Sequence, residues 1–357
     1  MHRRIRTTHA LCCALTVACL GIGTGVAQTV QPGASTVPNS AAGQSSIPET
    51  NLKSPTDIPL PRLPEGTAPD ADFAYGAFQR GWYLTAVALA TPLAQEGDVA
   101  AQALLGVLHD TGLGIKQNKA KAADWYQLAA NTGNAGAALQ LAQLYLLGTG
   151  VDEDKAKAAD LFEIAADAGN ASALYNLALL YQEGQGRAYN EEKARALLKE
   201  AAERNYPEAQ YALGLSFLEG ISGVSDPGQG AFWLGRAARR GHTSAQIYYG
   251  ILRFQGKGVE PNESEAADWF ERAATAGNPV AMNRLARVYA YGRGRELDPV
   301  AAAGWHLIAR ALGVSDLQLD GFIESLDVES RAKARERAEQ FSALLIPEAE
   351  DPARASP

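Results

Sequence analysis

Few side chains in this 357-residue chain could do chemistry, and their spacing argues against a reaction. Of five histidines, His2 and His9 fall in an N-terminal stretch that reads as a removable leader. The other three, His109, His242 and His306, are widely separated, with no pair at i, i+4 and no His-Glu-x-x-His run. That spacing suits neither a metal site nor a positioned general base. All three cysteines, Cys12, Cys13 and Cys19, lie in the same leader, so the processed chain would hold none. Disulfides, thiol catalysis and cysteine-bound zinc are thereby excluded. The acidic run Val151-Asp152-Glu153-Asp154-Lys155 lacks the alternating ligands, central glycine and closing glutamate of a calcium loop. Gly112-x-Gly114 and its counterparts are not phosphate loops, because no lysine-serine pair follows them. A Gly-x-Ser-x-Gly elbow is also missing. The chain reads as non-enzymatic, with no cofactor expected and no metal.

What organises the chain is a 36-residue unit written six times without a gap, as 99–134, 135–170, 171–206, 207–242, 243–278 and 279–314. Alanine fills one column throughout: Ala101, Ala137, Ala173, Ala209, Ala245 and Ala281. Four residues on stand Leu105, Leu141, Leu177, Leu213, Tyr249 and Leu285, each followed by Gly or Ala. Small residues at helical spacing let two helices approach, and large ones beside them fill the gap. Gly112, Gly148, Gly184, Gly220, Gly256 and Gly292 are placed to close a first helix in the left-handed conformation. A column holding only Asn118, Asp154, Asn190, Asp226, Asn262 and Asp298 then caps a second helix. That helix carries Trp125, Leu161, Leu197, Trp233, Trp269 or Trp305 four residues before a constant alanine, and ends at Gly133, Gly169, Asn205, Gly241, Gly277 or Gly313. Each unit is therefore a hairpin of two helices, about a dozen residues each, which cannot bury its apolar face alone and must stack.

The pattern Ala-x-x-x-Leu-Gly/Ala-x-x-Tyr-x-x-Gly-x-Gly, then Ala-x-x-Trp-x-x-x-Ala-Ala-x-x-Gly, resembles the Sel1-like repeat, a relative of the tetratricopeptide repeat. Its tyrosine stands here as Tyr145, Tyr181 and Tyr289, with His109, Phe217 and Arg253 in the other copies. The resemblance implies an all-α, right-handed α-solenoid of helix–turn–helix repeats acting as an adaptor or scaffold, with first helices lining its inner wall. It also implies a regulatory subtype, since some periplasmic Sel1-like proteins restrain sensor kinases. A cysteine-rich branch of the family is associated with β-lactam binding and hydrolysis, and the lack of cysteines weighs against membership of that branch.

Outside the repeats, residues 1–27 read as a secretory signal: Arg3, Arg4 and Arg6, an apolar core from Ala10 to Ile22, and a small-residue site at Gly25-Val26-Ala27. The core is too short for a good membrane span. Cleavage before Gln28 would send the chain to the periplasm; secretion, or lipid anchoring through Cys19, are the alternatives, although Thr16 stands where the lipid signal wants leucine. Residues 28–69 hold eight prolines and read as a disordered Pro/Ser/Thr-rich linker. Residues 70–98 read as a degenerate capping hairpin in which Gly76 aligns with Gly112, Ala86 with Ala122, and Pro92 interrupts the second helix. Residues 315–345 read as two capping helices, 315–326 and 328–345, and 346–357 as a disordered tail.

Without the leader arginines, 29 basic side chains stand against 40 acidic ones, a net charge near −11. No Lys/Arg cluster with interleaved aromatics is evident outside the last helix, so nucleic acid and anionic membrane are poor partners. A protein or peptide partner is expected instead, with the oligomeric state left open. At 100° per residue, Tyr175 and Leu179, then Tyr211, Leu215 and Leu218, then Ile247, Ile251 and Phe254, lie opposite the Ala-Leu face of their helices. These eight residues are the candidate partner-binding stripe, an apolar groove about three repeats long. The competing expectation is that they pack between neighbouring first helices. The function expected is an exported, non-catalytic scaffold gripping a protein or peptide; a cell-wall or β-lactam-directed enzyme and a secreted host-interaction factor are the alternatives.

Overall fold

The computed structural model describes residues 70–220 and 224–345, and these are helical with no strand. The signal 1–27, the linker 28–69 and the tail 346–357 lie outside the described residues. A first hairpin pairs α1 (Ala71–Gln79) with α2 (Tyr83–Gln95). Six hairpins follow: α3 (Val99–Thr111) with α4 (Lys119–Asn131), α5 (Ala135–Leu147) with α6 (Lys155–Asp167), and α7 (Ala171–Glu183) with α8 (Glu191–Glu203). The last three are α9 (Pro207–Glu219) with α10 (Pro227–Arg239), α11 (Thr243–Gln255) with α12 (Glu263–Thr275), and α13 (Pro279–Tyr291) with α14 (Pro299–Ala311). α15 (Leu317–Ser325) and α16 (Val328–Leu345) close the array. Each first helix packs on its own second helix and on the second helix of the preceding copy, which makes an α-solenoid.

The helices start and stop for local reasons. Each of the six Asn/Asp caps of the second helices accepts a backbone N–H three residues on, as Asn118 does from Lys121 at 3.0 Å. First helices are capped in the same way by Asp98, Asn134, Asn170 and Asn278. Two copies depart from this. Tyr206 makes no side-chain cap bond, and His242 offers Nδ1 to the Ala245 N–H at 3.1 Å. All six first-helix glycines adopt positive φ at the C-cap, and Asn205, at φ 67°, takes the turn position that glycine fills elsewhere.

Packing between copies rests on recurring devices. The alanines at 101, 137, 173, 209, 245 and 281 are buried. The column beside the tryptophans holds Tyr126, Phe162, Leu234, Phe270 and His306, which are buried, and Leu198, which is partly buried; a Cβ on Gly106 would lie 2.4 Å from the Tyr126 ring. Buried Gln102, Gln210 and Gln246 each donate Nε2 to a carbonyl eight residues back, at 3.1, 2.9 and 3.3 Å. In the five copies whose loops are described in full, the residue after the second loop glycine latches the loop to the preceding hairpin in one of two ways. Ile115, Val151 and Val259 are half-buried among apolar neighbours. Arg187 instead pairs with Asp160 at 2.5 Å and Glu163 at 3.2 Å, and Arg295 pairs with Asp268 and Glu271.

The ends differ from the sequence-based expectation in two respects. Pro92 does not interrupt the second helix of the first hairpin: α2 runs through it to Gln95, and the Glu96 N–H still reaches the Pro92 carbonyl at 3.0 Å. Gly76 is a mid-helix residue of α1, and the left-handed turn falls at Gly81, φ 78°. The first helix has slid toward the second, so three residues do the work of the seven-residue loops found elsewhere. At the other end, Phe341 of α16 stacks on Trp305 with centroids 4.3 Å apart, and Arg337 reaches the cap Asp298 at 3.0 Å.

Candidate functional site

The stripe of first-helix residues is less open than a helical wheel implies. None of the eight side chains is fully exposed, and Ile247 is buried. Tyr175 tilts against Tyr206, ring centroids 5.4 Å apart, and Tyr211 stacks on His242 at 4.5 Å while meeting the edge of Tyr248 at 5.9 Å. Tyr206 and His242 are the N-caps of the next copy, so these tyrosines cover inter-copy joints. Leu218 fits against Gly230 of α10, where a Cβ would come within 2.5 Å of its Cδ2. Leu179 and Leu215 are half-buried on the same face.

Ile251 and Phe254 behave differently. With Gln255, Phe270, Val288 and Tyr291 they line a cleft of about 220 Å³ between α11 and α13. Its floor is apolar: Phe270 and Val288 are each 3% exposed, while Tyr291 stands half in solvent at 51%. Three guanidiniums surround it. Arg293 lies over the Phe254 ring at 4.2 Å and pairs with Glu263. Arg287 donates Nε to Asp316 at 2.7 Å and another N–H to Gln318 at 3.1 Å. Burial pushes the Asp316 carboxyl up, but hydrogen bonds from Arg287, Asn283 and the Leu319 amide bring it net below the usual range. Arg284 is exposed and has no hydrogen bond or ion pair among the described residues. The cleft can therefore seat an apolar side chain with a carboxylate beside it. Only Ile251 and Phe254 of this cleft were in the sequence-read stripe; a column alignment does not bring Tyr291 and Arg284 onto Phe254.

The histidines sit apart from one another. His109 is half-buried, its pKa lowered by burial and by Lys121. Burial lowers that of His242 as well, partly offset by Glu208. His306 is wholly buried, with Nε2 2.9 Å from Asp320 of α15. Among the described residues no group of three His, Cys, Asp or Glu side chains could hold a metal ion. No helix among them is long and apolar enough to cross a membrane.

One sequence-based expectation is corrected. A basic cluster with aromatics does occur outside the last helix, on α10, where Phe232, Arg236, Arg239 and Arg240 line one surface hollow. Offsets of four, seven and eight residues put them on one helical face, and the signal is local, since Phe232 to Arg240 is one nine-residue stretch.

The family model described as Sel1 repeat matches residues 99–134, 135–170, 171–206, 207–242, 243–278 and 279–314. Among solved structures, a Sel1 repeat protein from Oxalobacter formigenes is 28% identical, covers 70% of this chain and all of its own, with a TM-score of 0.61. A protective antigen of uropathogenic Escherichia coli is 24% identical over 78% of this chain and 70% of its own, with a TM-score of 0.49. No curated protein sequence matched.

Proposed function

The chain belongs to the Sel1 repeat family, and from that premise we propose that it is an exported, non-catalytic scaffold that grips a protein or peptide segment on its first-helix face. Repeats of this family are a scaffold commonly used for protein–protein interaction and are typically non-catalytic. The observation that carries the reading is the cleft between α11 and α13, where an apolar floor meets a half-exposed Tyr291 and an unpaired Arg284. An aromatic and an arginine at the mouth of an apolar pocket are the residue types that anchor partner segments. The Tyr175 and Tyr211 joints hold that face in register rather than making the contact. A leader at 1–27 supports a periplasmic address, where a regulator of a signalling partner is one form the scaffold would take.

A photo-crosslinking amino acid placed at Tyr291, and in parallel at Leu128 of α4, tests this in the source cell. Leu128 is 47% exposed and lies on a second helix far along the chain. One protein captured from Tyr291 and not from Leu128, with the bait in the periplasmic fraction, supports the reading. Equal capture from both positions, or none from Tyr291, overturns the site; a cytoplasmic bait overturns the address.

A further inference from the structure

A separate surface lies on the second-helix side of the fourth copy. α10 has no carboxylate, while Arg236 and Arg239 lie in its last turn and Arg240 is its C-cap. With Phe232 they line a hollow of about 430 Å³. Arg236 is held in place: it donates to Asn205 Oδ1 at 2.6 Å and lies over the Phe232 and Trp233 rings at 5.6 and 5.2 Å. Its partner is a neutral amide, and Arg239 and Arg240 are exposed with no ion pair among the described residues. Three positive charges thus stand without a counter-charge in a chain of net charge −8. Beside them Phe232 is 50% exposed.

Cations do favour the C-terminal end of a helix, through its dipole. That accounts for single arginines, such as Arg272 of α12 and Arg310 of α14, but not for three together: α4 and α6 have no basic residue in the last turn, and α8, α12 and α14 bring one arginine each to this end. We infer that this face of α10 docks a short acidic segment of another protein, its carboxylates meeting Arg236, Arg239 and Arg240 and an apolar side chain meeting Phe232. Guanidiniums grip planar carboxylates bidentately, and a ring-stacked Arg236 loses little freedom in doing so. Single arginines recur in these columns, as Arg204 and Arg272, but among the described second helices only α10 gathers three of them. At the matching positions one copy earlier stand Glu200, Glu203 and Arg204, with Arg204 paired to Glu200 at 2.8 Å, and one copy later Asp268 takes the place of Phe232 while Arg272 is the one arginine left. A polyanion that continued along the array, such as nucleic acid, would meet these carboxylates, whereas a segment with a few acidic residues would not.

The test uses the full chain and a fluorescein-labelled peptide, acetyl-Glu-Glu-Trp-Glu-Glu-amide, with fluorescence anisotropy as readout. Binding should weaken about tenfold in the Arg239→Glu, Arg240→Glu variant, weaken on adding salt, and persist in Tyr291→Asp. Circular dichroism and the melting curve report folding, and Arg239→Gln, Arg240→Gln serves as the milder pair. A peptide with lysine in place of glutamate should not bind. The inference is overturned if wild type does not bind the acidic peptide, if both arginine variants bind as well as wild type, or if a short single-stranded DNA competes with equal or higher affinity. Persistence of binding in Tyr291→Asp separates this outcome from any failure of the first-helix cleft.

Discussion

The ring of Tyr211 lies on the imidazole of His242, centroids 4.5 Å apart and planes 23° from parallel. The two residues are 31 positions apart, and so are Tyr175 and Tyr206, which meet at the preceding joint. Where the next N-cap is Asn170 or Asn278, the equivalent residue is Leu139 or Ile247 rather than tyrosine. Aromatic cap and aromatic partner occur together, and each joint has its own local complementarity. An aromatic pair contributes about 0.5–1.5 kcal/mol beyond its area. A double-mutant cycle of Tyr211→Leu and His242→Asn, read by chemical denaturation, should return a coupling of about that size; independent effects would mean the stack is geometric coincidence.

The same histidine makes stability depend on pH. Its Nδ1 must be unprotonated to accept the Ala245 N–H, and burial lowers its pKa below the free value. The unfolded chain therefore binds the proton more readily. The contribution is complete above about pH 6.5 and is lost as the pH falls toward the lower folded value. His109, also lowered, acts in the same direction. Melting temperature should drop between about pH 7.5 and pH 5.5, and His242→Asn should flatten that slope while keeping the cap. An unchanged slope in the variant would assign the effect elsewhere.

Two glycines separate backbone strain from steric contact. Gly277 has φ 87° with nothing near its missing Cβ, whereas Gly258 has φ 72° and its Cβ would fall 2.1 Å from the Pro227 carbonyl oxygen of the preceding copy. Gly277→Ala should cost about 1–2 kcal/mol, the left-handed penalty alone. Gly258→Ala must add the displacement of α10 and should cost clearly more by urea denaturation. Equal losses would show that the loop does not seat against α10.

Buried Gln210 bonds the Ala202 carbonyl at 2.9 Å, but its Oε1 has no partner, and the same carbonyl also accepts the Asn205 N–H at 3.0 Å. Leu174 and Met282 fill this position in other copies and are buried. An unsatisfied buried acceptor costs about 1–3 kcal/mol. Gln210→Met should be neutral or stabilising in denaturant titration, and a marked loss would mean that the amide bond outweighs its orphaned oxygen.

Helices, caps and turns were legible because each is written within a few residues: an Asn or Asp before a helix and a glycine after it. The first hairpin was misread at Gly76 and Pro92 because column alignment assumes equal loop lengths, and here the first helix had moved. How far the stripe is covered was not legible for a different reason. A helical wheel places Tyr211 opposite its own Ala-Leu face, but says nothing of the cap 31 residues on that covers it. The α11–α13 cleft draws on three helices and a loop and forms no contiguous motif, whereas the α10 cluster lies within the nine residues from Phe232 to Arg240 and was there to be read.

The latch column gives the array a mechanical grading. Pulled along its length, the solenoid would yield copy by copy, because the described loops fasten to their immediate predecessor. Ile115, Val151 and Val259 make fasteners whose grip is insensitive to dissolved ions, while Arg187 and Arg295 make fasteners that electrolyte loosens. The third and sixth copies are thus the compliant links in concentrated salt, while the first, second and fifth keep their grip.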